Sequence, residues 1–196
     1  MPVEKLAFLF SMKYQENMMN IDELHEFRRQ KDAFFKTHPQ SPLTPQQREL
    51  FDGLSYYDYD PSLDLEIEVE EFDNKEKVLM QTTTGTVQEF LKWGRFSFDV
   101  KGENATLTLF YSPRTGHFFL PFMDATNQDT TYSGGRYLDP VSLGDKRFAI
   151  NFNLAYAPYC AYNENYTCPI PPKENRLSVR IEAGEKNPTG NWIQHK

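Results

Sequence analysis

The chain has 196 residues, with 21 lysines and arginines against 28 aspartates and glutamates, and a formal net charge of −7. This length suits one compact domain with a hydrophobic core of its own, and an aromatic content of 15% excludes a disordered protein. Because the acidic balance comes without basic clusters, nucleic acid is not an expected partner.

The first 19 residues have no clear hydrophobic period and predict a flexible lead. Their longest apolar run, Leu6 to Phe10, is too short for a membrane-spanning helix and for the apolar part of a signal peptide. We therefore expect no membrane partner and a cytoplasmic location. A secreted mature form from which a signal has been removed would have the same sequence.

Two helices are predicted in the segment 20–53. Asn20 followed by Glu23 has the pattern of a capping box, and the apolar residues after it recur at helical spacing, which predicts a helix over 21–37. A second, short helix begins with Pro45 at its first position. The N-terminal quarter is therefore predicted to be helical.

From Tyr56 onward the apolar period changes to two. Residues 63–70 alternate aliphatic side chains with carboxylates, which is typical of a strand with one buried and one solvated face. A turn signal at 73–75 then separates a strand over 63–72 from a returning strand over 76–84. The sequence predicts an antiparallel hairpin here.

Further strand candidates follow, separated by short turns and by two long connections. They are residues 86–93, 96–100, 105–111, 117–122, 147–152 and 177–183. With the hairpin they make about eight strands, which predicts a mainly β fold, an antiparallel β-barrel or barrel-like sandwich after the N-terminal helical segment. We expect a single domain over 20–186 and a C-terminal tail over 187–196.

The two long connections, 123–145 and 154–175, are the predicted functional site. Both exceed the length of about 12 to 15 residues above which loops are usually functional or disordered, and both are rich in tyrosine. Their polar and aromatic groups suit ligand recognition. The candidate ligand-binding residues are Asp124, Thr131, Tyr132, Arg136, Tyr137, Tyr156, Glu174 and Arg176.

Each group in this set has a functional and a structural interpretation, and the sequence leaves both open. Arg136 or Arg176 would hold an anion, Tyr132 would donate a hydrogen bond, and Asp124 would orient an arginine. Alternatively, Asp124 caps its own loop and pairs with Arg136 to stabilise a long connection. In the second loop, the alternative is a covering flap with a local ion pair between Glu174 and Arg176.

The two cysteines, Cys160 and Cys168, lie in the second loop. In the cytoplasm they would stay reduced, whereas in a secreted protein they could form a small disulfide. A structural zinc site needs four ligands, and His117 is the one histidine that could join the cysteines. We expect no metal and no other cofactor.

Four segments in these loops carry a resemblance to a known family. They are FMDAT at 122–126, TYSGGRYL at 131–138, NFNLAYAPYCAYN at 151–163 and CPIPPKENRL at 168–177. They resemble a bacterial and archaeal family designated domain of unknown function 1684, and the likeness spans about 20–186. The resemblance implies a shared fold and a shared loop site of undefined chemistry.

The predicted function is binding of a small polar or anionic organic molecule at one end of the barrel. One alternative is a metal-independent, hydrolase-like enzyme in which Asp124 or Glu174 is the general base. That enzyme would need one of these carboxylates to have a raised pKa in a pocket. A second alternative is a protein interaction module. The oligomeric state stays open.

Overall fold

The structure, a computed structural model, describes residues 19–193. The predicted flexible lead therefore lies outside the described residues, apart from Met19, whose side chain is buried. In the described part of the chain, two helices precede nine strands. None of the helices within these residues has the length and apolarity needed to cross a membrane.

Both predicted helices are confirmed. Helix α1, Ile21–Thr37, begins at a capping box in which the Asn20 side chain accepts a hydrogen bond from the Glu23 backbone N–H at 3.0 Å, while the Glu23 carboxylate accepts one from the Asn20 N–H. Helix α2, Pro45–Leu50, begins at a second capping box on Thr44. These local hydrogen bonds satisfy backbone donors that a helix N-terminus otherwise leaves unpaired.

The apolar face of α1 packs into an aromatic-rich cluster, here called the helical cluster. Its buried members are Phe27, Phe34, Phe35, Leu43, Phe51, Ala157, Tyr162 and Trp192. Trp192 is 2% exposed, its ring centroid lies 5.1 Å from that of Phe51, and its indole N–H donates to the Asp52 carboxylate at 3.0 Å. Residues 187–193, assigned to a tail by the sequence, thus include a side chain packed beside α1.

The nine strands pair antiparallel throughout the described residues and form two sheets. The strands are β1 Asp64–Glu68, β2 Glu70–Glu71, β3 Lys77–Gln81, β4 Val87–Val100, β5 Glu103–Ser112, β6 His117–Phe122, β7 Arg136–Leu138, β8 Val141–Gly144 and β9 Arg147–Asn151. One sheet has the order β1-β9-β8; the other has the order β2-β4-β5-β6-β7, with β3 also on β4. The mainly β, antiparallel prediction is confirmed.

The hydrophobic core draws side chains from both sheets. It includes Phe148 and Ile150 from β9, Phe96 and Phe98 from β4, and Leu107 from β5, all buried. The two sheets therefore share one core, as layers of a sandwich do. Among the described residues neither sheet closes on itself, so a closed barrel stays a prediction.

The predicted hairpin is wrong, because its two strands pair with other strands and not with each other. β1 pairs with β9, from Asp64 opposite Asn151 to Glu68 opposite Arg147, while β3 pairs with β4. Alternation along a strand determines which face is buried but says nothing about which strand lies beside it. The predicted faces hold for Glu66 and Glu68, which are exposed, whereas Asp64 is buried.

The predicted strands 86–93 and 96–100 are one strand, β4, with a register shift between Lys92 and Gly94. A Cβ added to Gly94 would lie 2.6 Å from the Glu70 carbonyl oxygen and 2.7 Å from a Val69 methyl carbon. Glycine at this bulge therefore lets β2 lie directly against β4.

Two predictions about the C-terminal half are corrected. The connection 123–145 contains β7 and β8, because Arg136–Leu138 is wholly buried and pairs with β6. The segment 177–183 is not a strand; it lies beside residues 123–125 through the backbone bonds of Leu177 to Met123 and of Ala125 to Val179. The backbone groups of Ile181 and Ala183 are hydrogen-bonded to side chains described below.

Candidate functional site

A cleft of about 700 Å³ opens between the β5–β6 turn, the strand β7 and the second long loop. Its lining consists of Gln40, Gln88, Phe90, Ser112, Arg114 to Phe119, Tyr137, Asp139 to Ser142, Tyr156, Pro158, Tyr159 and Tyr166 to Pro169. We call it the aromatic cleft. Two of the predicted ligand-binding residues, Tyr137 and Tyr156, are part of this lining.

Four rings in successive contact line the aromatic cleft. Phe90 stacks on Phe119 with centroids 5.1 Å apart, Phe119 meets Tyr137 edge to face at 4.9 Å, and Tyr137 meets Tyr156 edge to face at 5.8 Å. Such offset and edge-to-face pairs are the favoured aromatic geometries. The rings come from three strands and the second loop, so the cleft exists only in the folded chain.

Two tyrosine hydroxyls of the cleft, those of Tyr137 and Tyr156, are held in place by hydrogen bonds. Tyr137 donates to the Pro169 carbonyl oxygen, and Tyr156 donates to the Asp139 carboxylate at 3.0 Å. Burial raises the pKa of Tyr137, with nearby sulfurs adding to the effect. Both rings are therefore fixed in the wall of the cleft.

The charged groups of the cleft lie at its rim. Arg114, on the turn between β5 and β6, and His117, the first residue of β6, are exposed, and Asp139 is half-buried directly after β7. The cleft thus combines an apolar lining with one permanent cation, one imidazole and one carboxylate. That combination resembles small-molecule sites, in which a few polar groups orient a ligand in an apolar pocket.

Arg136 and Asp124 lie outside the cleft lining and form a fully buried ion pair at 3.2 Å. The Arg136 guanidinium also donates to the carbonyl oxygens of Ile181 at 2.8 Å and of Ala183, while the other Asp124 oxygen accepts from the Ile181 N–H at 2.7 Å. Burial lowers the pKa of Arg136, and the Asp124 carboxylate partly offsets that effect. The two side chains thus satisfy backbone N–H and C=O groups of residues 181–183 that a neighbouring strand would otherwise bond.

Asp124 also caps the short 3₁₀ turn that follows it. Its carboxylate accepts from the Thr126 hydroxyl at 2.9 Å, and the buried Thr131 hydroxyl lies 2.8 Å from that of Thr126. Of the two interpretations of this loop, the structure shows the cap and the Arg136 pair. Asp124, Thr131 and Arg136 form one buried network that holds the first long loop against the C-terminal segment.

The remaining predicted residues are spread around the second loop. Tyr132 is half-buried with its hydroxyl 3.8 Å from the Cys160 sulfur. Glu174 pairs with Lys92 at 2.9 Å. The local ion pair with Arg176 that the alternative interpretation of this loop includes does not form among the described residues, and Arg176 is exposed. Burial acts to raise the pKa of Glu174, but the bond from Lys92 lowers it overall.

The two long loops meet in space. The backbones of Tyr137 and Tyr156 exchange two hydrogen bonds, of 2.9 and 3.0 Å, and Tyr132 contacts Cys160. At Gly135 a Cβ would lie 2.6 Å from the Phe122 carbonyl oxygen and 2.7 Å from Pro171, so a side chain here would force the loops apart. The glycine pair of the first loop therefore serves close packing.

One buried ion pair was missed from the sequence. Lys31 on α1 contacts Glu185, and the two side chains are 3% and 1% exposed. Glu185 also accepts from the Tyr162 hydroxyl and from the Ala157 N–H, both at 2.8 Å. Lys31 lies one helical turn after the buried Phe27, and a lysine on the apolar face of a helix is the signal that could have found it.

The sequence model of a family described as a protein of unknown function, DUF1684, matches residues 49–186. The chain belongs to the DUF1684 family. The resemblance carried by the loop segments is thereby confirmed. Every residue lining the aromatic cleft except Gln40 lies within the DUF1684 match.

Among solved structures, the DUF1684 chain is similar to the solution NMR structure of an uncharacterized protein of Haloarcula marismortui. The two chains are 36% identical over 84% of this chain and 92% of that chain, with a TM-score of 0.64. None of the curated proteins matches the chain. The comparisons thus support the family and the fold.

Proposed function

We propose that the aromatic cleft binds a small organic anion with a flat apolar body. The observation that carries this proposal is a preformed cleft of about 700 Å³, lined by four rings in contact, with Arg114 at its rim. Ligand sites usually have volumes of about 300 to 1,000 Å³ and few polar groups. The ligand's apolar body would pack on the rings of Phe119 and Tyr137.

The charged rim selects the ligand's polar end. The Arg114 guanidinium presents a planar set of donors that matches a carboxylate or phosphate, and His117, at the start of β6, adds a second donor group to the rim. The Asp139 carboxylate, which accepts a hydrogen bond from the Tyr156 hydroxyl, would repel a second negative group on the ligand. A ligand with a single anionic end therefore fits best.

The predicted residues outside the cleft have a supporting role in this proposal. Arg136, the residue before Tyr137, bonds to Asp124 and to the backbone of residues 181–183, and Thr131 extends the same network. Their burial makes contact with the ligand indirect. A loop held by internal bonds loses little conformational entropy when the ligand binds.

The enzyme alternative has less support. Asp124 and Glu174 are both absent from the cleft lining, and the pKa of Glu174 is lowered, opposite to what a general base at neutral pH needs. Binding is therefore the function that the geometry favours.

The test is an NMR titration with benzoate and with benzamide, which share a ring and differ in charge. We expect benzoate to bind saturably and to shift the amide signals of His117 and Phe119. Arg114→Ala should weaken benzoate binding by about fivefold, the loss of roughly 1 kcal/mol from a charge-assisted hydrogen bond, without changing benzamide binding.

Arg29→Ala, on the exposed face of α1, is the matched control and should leave both ligands unaffected. Equal affinity for benzoate and benzamide would contradict the anion preference. Shifts confined to residues outside the cleft, or no saturable binding of either compound, would contradict the site itself.

A further inference from the structure

Two thiols adjoin the aromatic cleft and take no part in the proposed binding. The Cys160 backbone N–H donates to the Cys168 sulfur at 3.3 Å, and both cysteines are free. Cys168 is 6% exposed and lines the cleft, whereas Cys160 is more accessible. The fold thus places one accessible and one sheltered sulfur side by side.

The surroundings of the two sulfurs differ. The neighbouring Cys168 side chain is the main cause that lowers the pKa of Cys160, to about 7, against the opposing effect of partial burial. The Tyr132 hydroxyl, 3.8 Å from the same sulfur, adds to the lowering. The bond to Cys160 and burial together raise the pKa of Cys168. The Cys160 thiol therefore ionises more readily than the Cys168 thiol.

Cys168 is also the more firmly positioned of the two. Its N–H donates to the Thr83 hydroxyl at 3.2 Å, and its carbonyl oxygen accepts from the Thr83 N–H at 3.0 Å. Cys160 lies in the short 3₁₀ turn Tyr159–Ala161, which has no side-chain cap. Cys168 is thus held against Thr83, whereas Cys160 lies on a separate turn whose backbone N–H groups do not bond to Thr83.

We propose that Cys160 and Cys168 form a thiol–disulfide exchange pair that reacts with a low-molecular-weight disulfide, with Cys160 attacking and Cys168 resolving. This inference goes beyond the proposed ligand binding and does not depend on it. An accessible thiolate beside a second cysteine is the arrangement that makes exchange site-selective.

The chemistry balances without a metal or a further oxidant. The Cys160 thiolate attacks one sulfur of the small disulfide, whose S–S bond breaks as one small thiolate leaves. Cys168 gives its proton to that thiolate, then attacks the Cys160 sulfur of the mixed disulfide and expels the second small thiolate, which takes a proton from solvent. Two protein thiols are oxidised to one disulfide, and the small disulfide is reduced to two thiols.

The test uses oxidised glutathione as the probe, with intact-mass measurement after acid quenching. We expect the reduced protein to lose two hydrogens and to carry no stable adduct. Cys168→Ser should trap one glutathionyl group on Cys160, because the resolving sulfur is missing. Cys160→Ser should be modified at least about tenfold more slowly, since the remaining thiol is buried and protonated.

A second measurement needs no variant and so stands if a variant fails to fold. The rate of alkylation of Cys160 by iodoacetamide, followed by peptide mapping of the unmodified sequence, should reach half its maximum near pH 7. An ordinary thiol would do so near pH 8.5, and at pH 7 it would be only about 3% thiolate.

Three results would overturn the proposal. They are a wild-type protein that stays reduced in excess oxidised glutathione, equal reactivity of the two single variants, and an alkylation midpoint for Cys160 near pH 8.5. None of these results depends on benzoate binding, so a failed cleft and a failed thiol pair can be told apart.

Discussion

Lys31 is a cation on the buried face of α1, and Glu185 is its counter-ion from the far end of the domain. The carboxylate has three partners: the ammonium group, the Tyr162 hydroxyl and the Ala157 N–H. The Lys31 ammonium also lies 4.9 Å from the Tyr156 ring centroid. A buried charge is tolerated when its hydrogen-bonding capacity is filled in this way.

We expect Lys31→Met to be strongly destabilising, because it leaves the Glu185 carboxylate buried without a counter-ion. The loss in the free energy of unfolding should be about 3 to 5 kcal/mol, measured by urea denaturation. Arg29→Met removes an exposed cation whose partner is Glu26 and should change stability little. Similar losses in the two variants would show that the buried ion pair contributes no more to stability than the exposed one.

At the scale of secondary structure, Asn175 acts as a substitute for a strand. Its side-chain oxygen accepts from the Thr108 N–H, and its amide group donates to the carbonyl oxygens of Thr108 and Pro121, each at 2.8 Å. Asn175 is fully buried and thus satisfies backbone groups of β5 and β6 where their mutual pairing has ended. The sequence predicts only that Asn175 ends the second long loop.

We therefore expect Asn175→Leu to lower the stability of the protein more than the replacement of a buried side chain by one of similar size normally does. It leaves one N–H and two carbonyl groups without their partner, at about 1 to 3 kcal/mol for each group that water cannot reach. Thermal unfolding followed by calorimetry would measure the loss, and Asn165→Leu, at an exposed position, is the control. A Tm close to that of the control would refute this role.

The elements differ in how far the sequence could predict them. The start of α1 was predictable because Asn20 and Glu23 are near neighbours, and the faces of β1 because alternation is local. The partner of β1 was not predictable, since β9 lies far along the chain and other strands have similar patterns. Local signals define an element, whereas pairing depends on the whole fold.

The candidate site shows the same division. Tyr137 and Tyr156 were predicted because they stand in long tyrosine-rich loops, and both line the cleft. The sequence predicts strands at Phe90 and Phe119 and a turn at Arg114, but it does not predict that these side chains line a cleft. Their position beside the cleft depends on where a distant loop packs, and no local pattern shows that. Conversely, Arg136 was predicted to contact the ligand because it stands in a polar, tyrosine-containing loop. Its guanidinium instead donates to Asp124 and to the Ile181 carbonyl oxygen.

At the scale of the whole molecule, the domain has its main hydrophobic core between the two sheets and a second large cluster around the helices. The helical cluster joins α1 to residues of the second loop and to Trp192. Leu154 packs against both clusters, and Glu185 links α1 to the segment that follows 181–183. The helices therefore depend on contacts with residues distant in sequence.

Trp192→Ala should remove about 3 to 5 kcal/mol of stability, as truncation of a buried aromatic side chain does, although the sequence assigns this position to a tail. Urea denaturation followed by far-ultraviolet circular dichroism is the measurement. Asn191→Ala, next to it and exposed, is the control. A loss no greater than in the control would mean that the Trp192 side chain contributes nothing to the stability of the fold.

The chain has two tryptophans, and the fold assigns one to each layer. Trp93 lies against Phe118 at the edge of the sheet core, with ring centroids 5.1 Å apart, whereas Trp192 lies among the helices. Each indole is therefore a natural fluorescent reporter of its own layer. Variants that keep one indole at a time would reveal whether helices and sheets melt as a single cooperative unit or in sequence.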